Sequence, residues 1–266
     1  QSVLAISRRR SGDLVCSVES IHSNKRKIYC QTAKQYLLEH CNVPQESIRV
    51  IYRGTDPAEF PRDYQPSDTW LAKWRADFPQ LQGKRIIALP GRLSRLKGHH
   101  HLVTLIRHLK GQGITDVAGI IVGGIDPQHD SYVSKLKASI NEAGLNDEIV
   151  FTDHRTDMRE IYAISTLVLA VSNKAESFGR TALEPLCIGT PTVGFDLGGV
   201  GEILASLFPA GRVPNQDSLA LFDTVAGLLS APMPPIAPNT EFLLSNMCEH
   251  TLQTYAELVS EGATQP

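Results

Sequence analysis

Between residues 47 and 230, runs of Val, Ile and Leu recur, separated by helical patterns. RIIALP (85–90), VAGIIVGG (117–124), EIVFTD (148–153), LVLAVS (167–172) and PTVGFD (191–196) are apolar along their length, not on alternate residues. A strand written that way is buried on both faces, as in a parallel sheet covered by helices. The intervening segments read as helices: DTWLAKWRADF (68–78), HHHLVTLIRHLKGQG (99–113), SYVSKLKASINEAG (131–144), DMREIYAIS (157–165), RTALEPLCIG (180–189) and SLALFDTVAGLLS (218–230). Glycine closes several of them, as a helix C-terminus favours. Alternation at this spacing predicts an α/β fold, a doubly wound parallel sheet with right-handed crossovers.

The flanks are less regular. SIRVIY (47–52) reads as a strand, and RKIYCQTAKQYLLEH as a strand and a helix, whereas the first 23 residues are weakly patterned. APMPPIAP (231–238) carries four prolines and is a rigid link. Residues 239–262 read as a last long helix with Asn239 as its N-cap.

Composition excludes several classes. A formal net charge of -2 gives no electrostatic footprint for nucleic acid. No apolar run approaches the roughly 18 residues a membrane span needs. Cys16, Cys30, Cys41, Cys187 and Cys248 show no Cys-x-x-Cys spacing, which suits reduced thiols in a cytosolic setting. The chain starts at Gln1, and QSVLAISRRR is too short and too charged for a signal peptide, so it reads as a piece of a longer protein.

Doubly wound sheets bind ligands beyond the carboxyl ends of their strands. After 85–90 comes PGRLSRLKGHH, with Arg92, Arg95 and Lys97 between Gly91 and Gly98. This cationic loop suits a diphosphate, but it lacks the Gly-x4-Gly-Lys-Ser/Thr order of a Walker loop, and a plain solvated loop carries the same residues. After 117–124, Gly123 and Gly124 precede Ile125 and Asp126, which fits either close ligand approach or a tight turn. After 167–172 comes KAESFGRTALE (174–184). A helix starting near Gly179 would turn the N–H groups of Phe178, Gly179, Arg180 and Thr181 toward the crevice. Glu176 and Glu184 would then accept hydrogen bonds from vicinal hydroxyls; equally, Arg180 and Glu184 could pair at i,i+4. DLGGVGEI (196–203) reads as a glycine-rich loop on the same crevice. His99, His100 and His101 diverge by about 100° per residue on a helix and so cannot share one metal ion; solvated or capping roles are expected.

Four pieces in order resemble the donor half of a group 1 (family 4) retaining glycosyltransferase of GT-B architecture: VIYRGTDPAEF (50–60), GRLSRLKG (91–98), ESFGRTALEP (176–185) and GTPTVGFDLGGVGEI (189–203). The resemblance covers roughly residues 45–230. It implies a Rossmann-like domain over 47–266 behind a remnant of the acceptor half over 1–46, with the last helix packing back toward that half. It also implies roles. Arg92 and Lys97 would neutralise a nucleotide-sugar diphosphate beside Gly91, and Glu176 would hold the sugar. Glu184 would accept from ribose hydroxyls. Backbone N–H groups of Phe178, Gly179, Arg180 and Thr181 would meet the sugar and distal phosphate. The loop with Asp153, His154 and Arg155, near Gly124, would border the base, although the family usually has glycine where Asp153 stands. No Asp-x-Asp is present, so metal-independent transfer without a cofactor is expected. The implied partners are a nucleotide-sugar donor and a glycan or lipid-linked acceptor, in bacterial polysaccharide or lipopolysaccharide synthesis, with cytoplasmic placement and peripheral membrane contact through the missing half. The alternatives are a sugar-nucleotide epimerase of the same architecture and a noncatalytic nucleotide-binding module. No acceptor-side residue is assigned, His22 and His40 included.

Overall fold

The computed structural model describes residues 14–15, 19–22, 25–125 and 130–263. Its main sheet holds six parallel strands: β5 (Arg85–Pro90), β6 (Val117–Val122), β7 (Ile149–Phe151), β8 (Leu167–Ala170), β10 (Thr192–Phe195) and β11 (Arg212–Val213). Their spatial order is β11-β10-β8-β5-β6-β7. A small sheet is built from β2 (Glu19–His22), β3 (Lys25–Ile28) and β4 (Ile48–Val50), and α1 (Gln31–His40) connects its last two strands. The strand expected at 47–52 is therefore β4, paired with β3 in the small sheet. Two short strands, β1 (Leu14–Val15) and β9 (Ala175–Glu176), pair in parallel.

Helices cover both faces of the main sheet, and successive strand residues serve opposite layers. Ile87 and Leu89 pack with α3 (His99–Gly111), α4 (Asp130–Glu142), α7 (Gly198–Leu207) and α8 (Ser218–Ser230). Ile86 and Ala88 pack with α2 (Asp68–Asp77) and α5 (Met158–Ile164). That two-sided burial explains the unbroken apolar runs, since each Leu or Ile removed from water contributes about 1.5–3 kcal/mol. Helix α9 (Leu244–Ala263) follows the proline link; α6 (Arg180–Ile188) follows β9. Among the described residues no helix is long and apolar enough to cross a membrane.

Three expectations need correction. Residues 198–207 form α7, not a loop, and β11 follows it. The last helix starts at Leu244, because Asn239 is spent on a turn: its Oδ1 accepts from the Phe242 N–H (2.9 Å) and its Nδ2 donates to the Phe242 carbonyl (3.0 Å). Thr55 is then strapped to this turn, donating to the Phe242 carbonyl and accepting from the Leu244 N–H, each at 3.0 Å. Finally, His99 and His101 are buried, not solvated; only His100 of the three is exposed.

Candidate active site

The chain runs from β5 outward to β6 and β7, then α5 carries it back to β8 on the other side of β5. The winding direction changes between β5 and β8, and crevices at such points take ligands. The loops that meet there are 91–98 and 171–179.

Their meeting is fixed by charge. Lys97 Nζ donates to Glu176 Oε1 at 2.7 Å, with side chains 25% and 22% exposed, and the Ser172 hydroxyl donates to the same oxygen. Gly91 leaves room for the lysine: a Cβ there would lie 3.0 Å from Lys97 Cδ. Asn173 ties the two loops together. Its N–H donates to the Leu96 carbonyl (2.8 Å) and its Nδ2 to the Arg95 carbonyl (2.6 Å). With Nδ2 so used, Oδ1 faces His101 Nε2 at 3.0 Å and must accept, so this ring nitrogen carries the proton. Burial pushes the His101 pKa down, in keeping with a neutral ring. Arg92 is exposed in the same loop.

The helix end is glycine-built. Gly179 caps α6 at φ 105°, outside what a residue with a Cβ readily adopts. The first N–H groups of α6 have no acceptor within the helix and lie just after Glu176 and Phe178. Beyond β10, Gly198 presses against β9 and Gly199 against the residues after it: a Cβ on Gly199 would sit 2.0 Å from the Phe178 carbonyl oxygen. These glycines serve packing, which corrects their reading as a ligand loop. Glu202 is also spent. Its Oε1 accepts from the Thr32 N–H (2.7 Å) and hydroxyl (2.6 Å), and its Oε2 from the Gln31 N–H and Tyr52 hydroxyl (2.9 Å each).

On the far side, three loops are stitched in a row. Leu93 donates to the Gly124 carbonyl (3.1 Å) and Gly123 to the Asp153 carbonyl (3.0 Å). Asp153 has φ 57°, the left-handed region glycine favours. His154 is exposed, with its Cβ 3.6 Å from where a Gly124 Cβ would be. Arg155 is committed elsewhere, bidentate on Asp157 at 2.9 and 2.5 Å with its guanidinium 5.6 Å from the Trp74 ring centroid. Asp126 lies outside the described residues.

Glu184 is 5% exposed. Oε1 takes the Arg180 guanidinium at 2.7 Å and Oε2 takes the Tyr162 hydroxyl at 3.0 Å. Burial pushes its carboxyl up, opposed by Arg180 and Tyr162. The i,i+4 pair therefore exists. Arg180 Nε and Nη2 both stand 2.7 Å from Oε1, so Oε2 is the oxygen that keeps a lone pair for another donor. Arg180 and Glu184 line a cavity of about 310 Å³ together with Thr156, Met158, Arg159 and Glu160. The structure thus joins Lys97 to Glu176 and Arg180 to Glu184, while Arg155 is held apart by Asp157. Asn173, His101, Tyr162 and Glu160 were missed by motif reading; the position of Asn173 just after an apolar strand was the one available signal. Among the described residues no cluster of three or more His, Cys, Asp or Glu is placed to hold a metal ion.

The family model for glycosyl transferases, group 1, matches residues 72–235. The chain belongs to the group 1 glycosyltransferases. The chain is similar to 2-deoxystreptamine glucosyltransferase of Streptomyces kanamyceticus, 29% identical over 195 residues that cover 73% of this chain and 48% of that protein. It is equally similar to the lipopolysaccharide core biosynthesis mannosyltransferase LpcC of Rhizobium leguminosarum bv. viciae, 29% identical over 188 residues, 71% of this chain and 51% of that one. It spans about half the length of these relatives. Among solved structures, HepE of Anabaena in complex with UDP and glucose superposes with a TM-score of 0.77 at 22% identity, over 87% of this chain and 62% of that one. The C-terminal domain of a group 1 protein from Francisella tularensis gives 0.56 at 21% identity, over 76% of this chain and 98% of that one. The Rossmann-like GT-B fold expected from the motifs is the fold found.

Proposed function

We propose that this chain is the donor-binding part of a retaining, metal-independent glycosyltransferase that moves a sugar from a nucleoside diphosphate to a glycan or lipid-linked acceptor. The observation that carries the reading is the Lys97–Glu176 pair, set across the winding switch beside the N-terminus of α6. As the bond from the sugar's anomeric carbon to the diphosphate breaks, negative charge grows on the departing phosphate. Lys97, Arg92 and the N–H groups of α6 are the groups that neutralise it. Glu176, released from Lys97 by the incoming phosphate, turns to the sugar hydroxyls. Glu184 accepts from the ribose. The acceptor oxygen forms the new bond on the same face and passes its proton to the departing phosphate. HepE of Anabaena, solved with UDP and glucose, supports this class of donor, and the lipopolysaccharide core biosynthesis mannosyltransferase relative supports a role in polysaccharide synthesis.

Calorimetric titration with UDP, GDP and ADP tests the proposal. At least one binds, and Lys97→Ala weakens it about 10- to 150-fold, the equivalent of a charge-assisted hydrogen bond of roughly 1.5–3 kcal/mol. Absence of binding to all three, or an affinity indifferent to Lys97, rejects it.

A further inference from the structure

Lys97 is the last residue of a single 3-10 turn, Arg95–Lys97, that ends on the left-handed Gly98. A turn that short has little rigidity of its own. It is closed by the Lys97 N–H on the Ser94 carbonyl at 3.1 Å, and its last carbonyls have no partner inside it. A cation that is to meet a phosphate must be held within about 0.5 Å of its working place. What holds this turn has to come from elsewhere in the fold.

Asn173, 78 residues beyond Arg95, supplies it. Its Nδ2 donates to the Arg95 carbonyl at 2.6 Å and its N–H to the Leu96 carbonyl at 2.8 Å, so one residue caps the two carbonyls just before the lysine. Its Oδ1 accepts from His101 Nε2 at 3.0 Å, on the first turn of α3. The clamp therefore closes on both sides of Lys97, at 95–96 before it and at 101 after it. Ser172, the neighbour of Asn173, holds Glu176 Oε1. Two adjacent side chains of one loop thus set the cation and the acid of the pair separately.

The orientation of the amide follows from its partners. The Arg95 carbonyl can only accept, which fixes Nδ2 on its side and turns Oδ1 to His101. The His101 ring is 7% exposed and packs edge-on to Phe195, with centroids 5.0 Å apart at 84°. A residue at 101 that cannot donate would leave Oδ1 unpaired beside that apolar ring, and the amide would gain by rotating away from Arg95.

We propose that Asn173 is a positioning residue for the transfer: it acts on the diphosphate through Lys97, and His101 acts in turn through Asn173. Neither touches the nucleotide. The inference rests on the donor-binding reading above and deepens it, adding a line of three residues by which a buried ring sets where the ammonium stands.

The experiment is a double-mutant cycle read by calorimetric titration with UDP, GDP and ADP, the tightest binder of the parent serving as probe. These probes carry no sugar, so the sugar contacts of Glu176 stay out of the readout. Asn173→Ala weakens the probe about 10-fold, within the range for two lost hydrogen bonds. In the Lys97→Ala background the same substitution changes affinity less than about 2-fold, because the group it positions is gone. A loop that had merely loosened would carry Arg92 with it and weaken binding in both backgrounds alike. His101→Leu weakens the probe about 10-fold, as Asn173→Ala does, whereas His101→Gln, which keeps an N–H donor for Oδ1, stays within about 2-fold of the parent. Should Asn173→Ala fail to fold, the two His101 variants decide by themselves. Equal cost of Asn173→Ala with and without Lys97 overturns the inference and leaves the donor reading standing. So does His101→Gln binding as weakly as His101→Leu. If the parent binds none of the three nucleotides, the donor reading fails and this inference falls with it.

Discussion

Gly98 packs against the loop that follows β8, and replacing it by alanine has a calculable cost. Its φ of 71° is left-handed, and an L side chain there costs roughly 1–2 kcal/mol. Its missing Cβ would stand 2.1 Å from the Val171 carbonyl oxygen and 2.9 Å from His101 Cδ2. Real Cβ atoms do not come that close to backbone oxygen, so loop 91–98 must move off the end of β8. Overpacking of this kind costs about 1–3 kcal/mol. The sum is about 2–5 kcal/mol. For a chain of this size, 1 kcal/mol lowers Tm by about 2 °C, so Gly98→Ala melts roughly 4–10 °C below the parent. Gly113→Ala separates the two contributions. Gly113 has a similar φ of 82° with nothing within 4 Å of its Cβ position, so only the conformational part applies. The assay is thermal unfolding of the three proteins side by side. Because Lys97 precedes Gly98, nucleotide affinity must fall with Gly98→Ala and stay with Gly113→Ala. The reasoning is refuted if Gly98→Ala melts no lower than Gly113→Ala.

Two further outcomes follow from a buried histidine and a half-buried glutamate. Burial lowers the His99 pKa from 6.5 to about 4. Between those values the unfolded chain binds the proton and the folded chain does not, so stability is full above pH 6.5 and falls as pH drops toward 4, by up to about 3 kcal/mol. Urea midpoints of parent and His99→Phe across that window check this; equal pH slopes refute it. Glu202→Ala strips the partner from the Gln31 and Thr32 N–H groups and from the Thr32 and Tyr52 hydroxyls. It costs about 1–3 kcal/mol, and hydrogen-exchange protection drops in α1 while β5 and β6 keep theirs. Loss of protection spread evenly over both would show that Glu202 does not act as the cap of α1.

The main sheet was legible because its strands are buried on both faces and say so in consecutive apolar residues. The Glu176–Glu184 spacing was legible because a strand, a glycine cap and a helix follow in direct succession. What stayed hidden depended on contacts across the chain. Three glycines in GGVGEILASL argued against helix by propensity, yet tertiary packing reversed the preference. Gly198, Gly199 and Gly201 are small because Glu176, Phe178 and Asp196 crowd them, Gly201 standing 2.4 Å from Asp196 Oδ1 at its Cβ position. Asn239 looked like a helix cap, and its side chain does cap, but a turn at Phe242 instead. The triple histidine read as polar, whereas α3 lies on the sheet and turns His99 and His101 inward. Glu202 carried a motif's position, and only the fold shows that α1 takes it.

The adjacency of β5 and β8 has a consequence for how this protein matures. Lys97 and Glu176 are 79 residues apart along the chain and become neighbours only when β8 docks beside β5. By then β6 and β7 have been laid down on the opposite side of β5 and the polypeptide has doubled back. A nascent chain released at residue 165 would own every cation of the pair's loop and none of its acid. Ligand capture is thus a report that β8 has found its slot beside β5, and a fluorescent nucleotide added during synthesis would light up at that moment and not before.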